Sequence, residues 1–276
     1  NELGAGNGEM MKIMIESFQR FPSFINGCKI IIHEKSPYLI KKQKINIKFK
    51  NIKWITSLKK IDKLPSIFLA NEFFDAIPIK QFLKNKNIWF EKFVHISNDK
   101  KLNFINQKID IKALEKKIDF KISEKQNFIE YSPLGLRYLT DILKFIKKNK
   151  GGLLIIDYGY FDEKMKNTLQ AIYQQKYSRV LENIGKSDIT YNVNFYLIKK
   201  VVKNLRDLSV NFTSQKRFLT NLGIQQRAEI ISKDKEFTKK VDIFYRLKRL
   251  INEKEMGNLF KVMLIKNSKN NSKIGF

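Results

Sequence analysis

Several groups of residues in this sequence have types and spacings that suit chemistry. The first is Gly4, Gly6 and Gly8, alternating within Glu2-Leu3-Gly4-Ala5-Gly6-Asn7-Gly8. Glycine lets a backbone turn tightly and lets a ligand lie against bare main chain. Met10, Met11, Ile13, Met14 and Phe18 follow at helical spacing and read as a core face. The loop therefore opens an amphipathic helix, a setting in which backbone amides meet a ligand. The second group is Glu34, at the end of the apolar run Cys28-Lys29-Ile30-Ile31-Ile32-His33. An acid at that place accepts hydrogen bonds from the two ribose hydroxyls in doubly wound nucleotide sites. The third is Asn71-Glu72-Phe73-Phe74-Asp75-Ala76-Ile77-Pro78, closing the strand pattern Ile67-Phe68-Leu69-Ala70. Ligands of open α/β sheets sit outside the strands' carboxyl ends. Carboxylates at Glu72 and Asp75 would there hold a cationic acceptor such as a guanidinium, whose plane bidentate pairing fixes. Asp75 is also open to a simpler role, the N-cap of a following helix. The fourth is Asp157, ending Leu153-Leu154-Ile155-Ile156 ahead of Tyr158-Gly159. It suits either the acceptor pocket or the anchoring of a loop that turns at Gly159.

The elements that must position these residues follow an α/β pattern with a mostly parallel sheet. Short apolar runs alternate with helical periodicity through residues 1–79. From 80 to 127 the pattern changes to alternating segments such as Ile88-Trp89-Phe90-Glu91-Lys92-Phe93-Val94, an antiparallel ribbon. That stretch is too long for an ordinary βα connection and reads as an insertion. Alternation resumes over 128–266. Ser132-Pro133 caps a helix with Leu136, Leu139, Leu143 and Ile146 on one face, and Gly151-Gly152 stop it. Helices are expected over 196–207 and 214–222, and a long one carries Phe237, Val241, Phe244, Leu247 and Ile251. A strand runs over Leu259–Ile265, and 267–276 is expected to fray.

The composition excludes several function classes. Lys and Arg number 54 against 27 acids, a net charge of +27 over 276 residues. Such charge favours nucleic acid, yet it is mostly lysine, spread evenly, in a sequence equally rich in Ile, Asn and Phe. A codon bias accounts for that, and scarce arginine argues against base reading, so no nucleic-acid partner is expected. Cys28 is the sole cysteine, and His33 and His95 are the only histidines, so neither a disulfide framework nor a metal centre is expected. No run is long and apolar enough to span a membrane. The sequence opens at Asn1 inside the glycine motif, so most of the first strand and the helices before it are expected to lie upstream.

Together these stretches resemble one family, the MidA-like S-adenosylmethionine-dependent methyltransferases. Its mitochondrial members are protein arginine methyltransferases acting as complex I assembly factor 7. The matching stretches are Glu2 to Gly8, Glu34-Lys35-Ser36-Pro37, Ala70 to Pro78, Ile156-Asp157-Tyr158-Gly159-Tyr160, Thr168-Leu169-Gln170-Ala171, Ser187-Asp188-Ile189-Thr190 and Met256-Gly257. They recur in the family's order across nearly the whole chain. The resemblance implies a Rossmann-like, seven-stranded class I methyltransferase sheet with a family insertion. It implies S-adenosyl-L-methionine as cofactor, bound by Glu2, Gly4, Gly6, Gly8, Glu34 and Asn71. Glu2, in the motif E-x-G-x-G-x-G, would pair with the cofactor's methionine ammonium. Glu72, Asp75 and Asp157 would serve the acceptor. The acceptor implied is a protein arginine, on a complex I subunit in the mitochondrial members, with symmetric dimethylarginine as product. A homodimer is a further expected partner, and the compartment is a bacterial cytoplasm or, in a eukaryote, the mitochondrial matrix.

The sequence departs from the family at one stretch. Where the family reads D-L-T-A-H-V-D-F, this chain has Asp188-Ile189-Thr190-Tyr191-Asn192-Val193-Asn194-Phe195. Asn192 and Asn194 replace a histidine and an acid, although Asn194 retains the capacity to cap the next helix. Two rival readings stand beside the arginine methyltransferase. One is a methyltransferase with an RNA or small-molecule acceptor, against which counts the absence of an N-P-P-Y type of motif. The other is a non-catalytic assembly chaperone that keeps the fold.

Overall fold

The computed structural model describes residues 1–276. In chain order the strands are β1 (Glu2–Leu3), β2 (Ile30–His33), β3 (Ile52–Ile55), β4 (Ser66–Asn71), β5 (Lys80–Asn85), β6 (Ile88–Ile96), β7 (Leu102–Ile109), β8 (Phe128–Tyr131), β9 (Gly151–Tyr160), β10 (Gln170–Tyr173), β11 (Lys176–Ser178), β12 (Asp188–Thr190), β13 (Val193–Asn194), β14 (Leu208–Ser214) and β15 (Phe260–Asn267). The helices are α1 (Glu9–Phe18), α2 (Pro22–Gly27), α3 (Pro37–Asn46), α4 (Ile111–Ile118), α5 (Pro133–Asn149), α6 (Phe195–Lys203), α7 (Gln215–Asn221), α8 (Ile224–Ser232), α9 (Phe237–Ile251) and α10 (Met256–Leu259). They form two compact units: Asn1–Phe73 with Asp141–Asp157 and Leu205–Phe276, and Phe74–Thr140 with Tyr158–Asn204.

The first unit is built on a sheet of order β14-β15-β9-β4-β1-β2-β3. Strands β3, β2, β1, β4 and β9 run parallel, and β14 pairs antiparallel with β15. Parallel strands buried on both faces read as unbroken apolar runs. That is why Ile30-Ile31-Ile32 and Leu153-Leu154-Ile155 were legible. The two-residue β1 occupies the centre, with Glu2 opposite Ile32 on one side and Leu69 on the other. On one face Met11, Ile15, Ile25, Ile30, Ile32 and Ile47 form a core cluster, with Trp54 packed against it. Of the expected α1 core face only Met11 is fully buried; Ile13 points outward, and Ile15 takes its place.

The second unit holds a four-stranded antiparallel sheet, β7-β6-β5-β8, and a three-stranded one, β11-β10-β12. Phe82, Trp89, Ile122, Ile129 and Tyr131 make its core. The antiparallel ribbon thus extends to β8, and 158–204 belongs to the same unit as 80–127.

Several local expectations need correction. Helix α5 begins as expected, with the Ser132 hydroxyl accepting from the Gly135 amide at 2.9 Å. It is stopped by Lys150 in the left-handed conformation, φ 67°, while Gly151 and Gly152 already belong to β9. Strand β9 continues three residues past Asp157, so the acid does not end it. Gly159 makes no turn. It pairs with Val193, and a Cβ there would lie 2.4 Å from the Val193 carbonyl oxygen. The helix expected over 196–207 ends at Lys203, giving way to β14. Of the residues expected to mark α9, Phe237, Val241 and Phe244 are exposed, 80%, 51% and 43%, while Leu247 and Ile251 are half-buried, together with Ile243 and Leu250. The last residues dock rather than fray: the Phe276 ring lies 5.2 Å from that of Phe218, and Asn221 donates to the Gly275 carbonyl.

Candidate active site

The carboxyl ends of β1, β2 and β4, with Asp157 inside β9, carry the sequence-derived candidates of the first unit. The glycine loop leaves β1, and its first amide, Gly4 N–H, donates to the His33 carbonyl at 3.0 Å. Its glycines divide by role. A Cβ at Gly4 would stand 2.9 Å from the Phe73 ring, and one at Gly8 would stand 2.8 Å from Ile47 Cδ1. Gly8 also starts α1 at φ 84°. Those two serve packing. A Cβ at Gly6 would meet nothing within 4 Å, so its main chain faces open space. Gly6 is the position where a ligand can lie against the backbone.

Glu2 is 2% exposed, and its Oε2 has no hydrogen-bond partner. Burial pushes its carboxyl up to about 7. A buried carboxylate without a partner is costly, because low-dielectric surroundings penalise the charge. An external cation would remove that cost. This orphaned oxygen and the open face at Gly6 fit the methionine ammonium and the body of S-adenosylmethionine.

Glu34 is buried just past β2. Its Oε1 accepts from the amides of Lys35, 2.8 Å, and Ser36, 2.9 Å. Its Oε2 accepts from Gln43 Nε2 at 3.2 Å. Ser36 in turn caps α3, accepting from Leu39 N–H at 3.3 Å, and Pro37 occupies the first helical position. The Glu-x-Ser-Pro order is thus a local machine: the acid closes its own loop while serine and proline start the helix. Gln43 is fully buried and contacts the glycine loop as well. It was missed because α3 has no pronounced apolar face against which one polar residue would stand out.

Asn71 ends β4, paired with Ile156. Glu72 follows in the left-handed region, φ 47°, with its amide donating to the Ile156 carbonyl at 2.9 Å. A non-glycine residue there is strained by about 1 kcal/mol, a cost that clusters at functional sites. The Glu72 side chain is exposed. Asp157, fully buried, stands one residue beyond the last pairing of β9 with β4.

Asp75 belongs to the second unit and is 4% exposed. No helix starts after it, so it is not an N-cap; its carbonyl accepts from the Tyr191 amide at 3.4 Å. This unit encloses a cavity of about 40 Å³, lined by Phe74, Ser132, Tyr191 and Asn194 among others. Glu130 lies in its wall, buried, with its carboxylate held by Thr168 Oγ1, 2.5 Å, Thr168 N–H and Gln81 Nε2. Burial raises the Glu130 carboxyl above the usual range. One of the two unusual asparagines has structural work here. Asn194 Oδ1 caps α6 at Leu197 N–H, 3.1 Å, while its Nδ2 donates to the Asp162 carbonyl. At Asn192 it is the main-chain N–H that donates to Thr168 Oγ1, at 2.8 Å, a bond independent of the side chain. No cluster of three metal-ligating side chains occurs, and no helix is long and apolar enough to cross a membrane.

Residues 1–213 match a family model described as "Putative S-adenosyl-L-methionine-dependent methyltransferase". The chain is 26% identical to the mitochondrial protein arginine methyltransferase NDUFAF7 of Xenopus tropicalis, over 94% of this chain and 66% of that protein. The Homo sapiens NDUFAF7 is 25% identical, over 94% of this chain and 64% of its own length. The chain thus spans about two thirds of the length of the curated relatives it matches. Two structures from Burkholderia thailandensis share the fold. One, an uncharacterised superfamily protein, aligns with TM-score 0.83 at 22% identity, covering 100% of this chain and 75% of that one. The other was crystallised bound to S-adenosyl-homocysteine and aligns with TM-score 0.78 at 21% identity, covering 100% and 73%.

Proposed function

The chain belongs to the S-adenosyl-L-methionine-dependent methyltransferase family whose model it matches, and from that membership we propose that it is a protein arginine N-methyltransferase. The observation that carries the cofactor half of this reading is the buried, partnerless Glu2 Oε2 beside the glycine loop. Glu2 would pair with the methionine ammonium, Gly6 would offer its bare main chain, and Glu34 would accept from the ribose. Asn71 ends the strand beside them. The S-adenosyl-homocysteine found in the Burkholderia structure supports the same ligand class here.

The acceptor half rests on Glu72. Its carboxylate is exposed at the carboxyl end of β4, held by a backbone conformation that costs energy. S-adenosylmethionine held there would supply an electrophilic methyl group, with sulfur as the leaving atom, to the acceptor nitrogen. Glu72 would accept from guanidinium N–H groups, fixing the plane of the acceptor and stabilising its positive charge. The acceptor nitrogen's proton leaves to solvent. Asp157, buried on the adjacent strand, and Asp75, three residues after Glu72 in the sequence, are the other carboxylates assigned to acceptor positioning. The relatives named as arginine methyltransferases support a protein acceptor. Symmetric dimethylation, a complex I subunit as target, residence in the matrix or a bacterial cytoplasm, and a homodimer are finer proposals drawn from the family resemblance.

The test is incubation of cell lysate with radiolabelled S-adenosylmethionine and the protein, followed by protease or nuclease digestion. Label should be released by protease and recovered as methylarginine, and Glu72→Gln should lower it by at least about tenfold, the loss of a charged hydrogen bond. Nuclease-sensitive label points to the RNA-acceptor rival. If Glu72→Ala abolished labelling yet still rescued respiratory assembly, the chaperone reading would replace this one.

A further inference from the structure

We propose that Gln43 is a positioning residue that locks the glycine loop to the ribose acid, leaving Glu34 a single open acceptor site for the cofactor. The proposal rests on the cofactor reading above and adds a residue and a stoichiometry to it.

The orientation of the Gln43 amide is fixed by its neighbours. Trp54 Nε1 lies 3.0 Å from Gln43 Oε1. An indole N–H can only donate, so that atom must be the oxygen. The other terminal atom is therefore the NH2 group, and its two hydrogens have two acceptors. One is the Gly6 carbonyl at 2.9 Å; the other is Glu34 Oε2 at 3.2 Å. Gln43 is 0% exposed, so each bond is made out of water. The approach depends on Gly8, where a Cβ would stand 3.3 Å from Gln43 Cγ.

A carboxylate offers about four acceptor sites. On Glu34, Oε1 already receives the amides of Lys35 and Ser36, and Oε2 receives Gln43. Three donors fix the carboxylate's plane and leave one site, on Oε2, for an outside hydroxyl. The expectation that Glu34 serves both ribose hydroxyls thus narrows to one strong bond. Gln43 bonds the carbonyl of Gly6, the glycine with the open face, with the same NH2 group. Loop and acid therefore keep one register, and the binding of each half of the cofactor feels the placement of the other.

The experiment is titration of S-adenosyl-homocysteine and of adenosine into wild type, Gln43→Leu and Gln43→Glu by calorimetry, with circular dichroism melts as a check on folding. Gln43→Leu should weaken both ligands by about tenfold or more, the loss of a buried hydrogen-bond donor to a carboxylate. Gln43→Glu keeps the oxygen that Trp54 needs, but it sets a second carboxyl against Glu34 and Gly6 O. It can donate only when protonated, so its deficit relative to wild type should be about tenfold at about pH 8 and shrink to about threefold at about pH 5.5. A pH-independent deficit that tracks only the melting temperature would make Gln43 a structural prop and overturn the proposal, as would wild-type affinity in both variants. Absence of S-adenosyl-homocysteine binding by folded wild type overturns the cofactor reading itself, and this inference with it.

Discussion

Replacing Glu2 by glutamine should stabilise the protein while disabling it. The carboxyl of Glu2 is pushed from 4.5 to about 7, chiefly by burial. The folded state therefore holds this proton more tightly than the unfolded state does. Its contribution to stability is fully present below about pH 4.5 and is lost as pH rises through about 7. A tenfold gain in proton affinity is worth about 1.36 kcal/mol, so the raised carboxyl costs the native state up to about 3 kcal/mol at about pH 8. Glu2→Gln keeps the shape and removes the charge. Urea unfolding curves at about pH 5 and about pH 8 should show the variant's advantage growing with pH toward that figure, at unchanged m value. The same variant loses its pairing with the cofactor's ammonium. Charged hydrogen bonds contribute about 1.5–3 kcal/mol, so S-adenosyl-homocysteine should bind about ten- to a hundredfold more weakly. A variant no more stable than wild type at about pH 8, or one that binds the ligand equally well, would refute the reasoning. Wild-type binding near neutral pH should also release a fraction of a proton, because pairing draws the carboxyl back toward its ionised form. Calorimetry in two buffers of different ionisation enthalpy reads that release directly.

Three other changes follow from the geometry. Gly6→Ala places a methyl group in open space at φ 54°, so it should cost about 1 kcal/mol in a thermal melt yet weaken ligand binding at least about tenfold. Gly8→Ala drives a methyl group into Ile47 and should destabilise by about 1–3 kcal/mol in urea. Asn194→Ala removes the α6 cap and should cost about 1 kcal/mol, while Asn194→Asp, which keeps the capping oxygen, should cost less.

The strand ends that carry the proposed site residues were legible. Glu34 and Glu72 both follow apolar runs, and parallel topology puts such ends on one edge of the sheet. Gln43 was not legible. Its importance comes from Trp54 and Glu34 converging on it across different elements, and no spacing along α3 announces that. The second unit was only half seen. Its four-stranded sheet alternates plainly, whereas β10, β11 and β12 are three or four residues each, too short for a period. Strand β9 was misread for the opposite reason: its apolar run stops at Asp157, but the backbone continues to pair, with β13, through Gly159 and Tyr160. Helix α9 shows the limit of reading faces. It has apolar residues on more than one side, and the first part of the stripe that stands out in the sequence, Phe237, Val241 and Phe244, stays in water.

The unequal glycines of the loop have a consequence for how members of this family decay. Gly8 is held by Ile47 and Gly4 by Phe73, so losing either damages the fold. Gly6 touches no side chain at the place a Cβ would take, so beyond the modest demand of its φ of 54° only the proposed ligand would enforce it. A lineage released from selection for methyl transfer, but still selected as a folded partner, would keep the outer two glycines and drift at the middle one. On the proposed cofactor placement, residue identity at that single site would separate working enzymes from retired scaffolds in a way the motif as a whole does not.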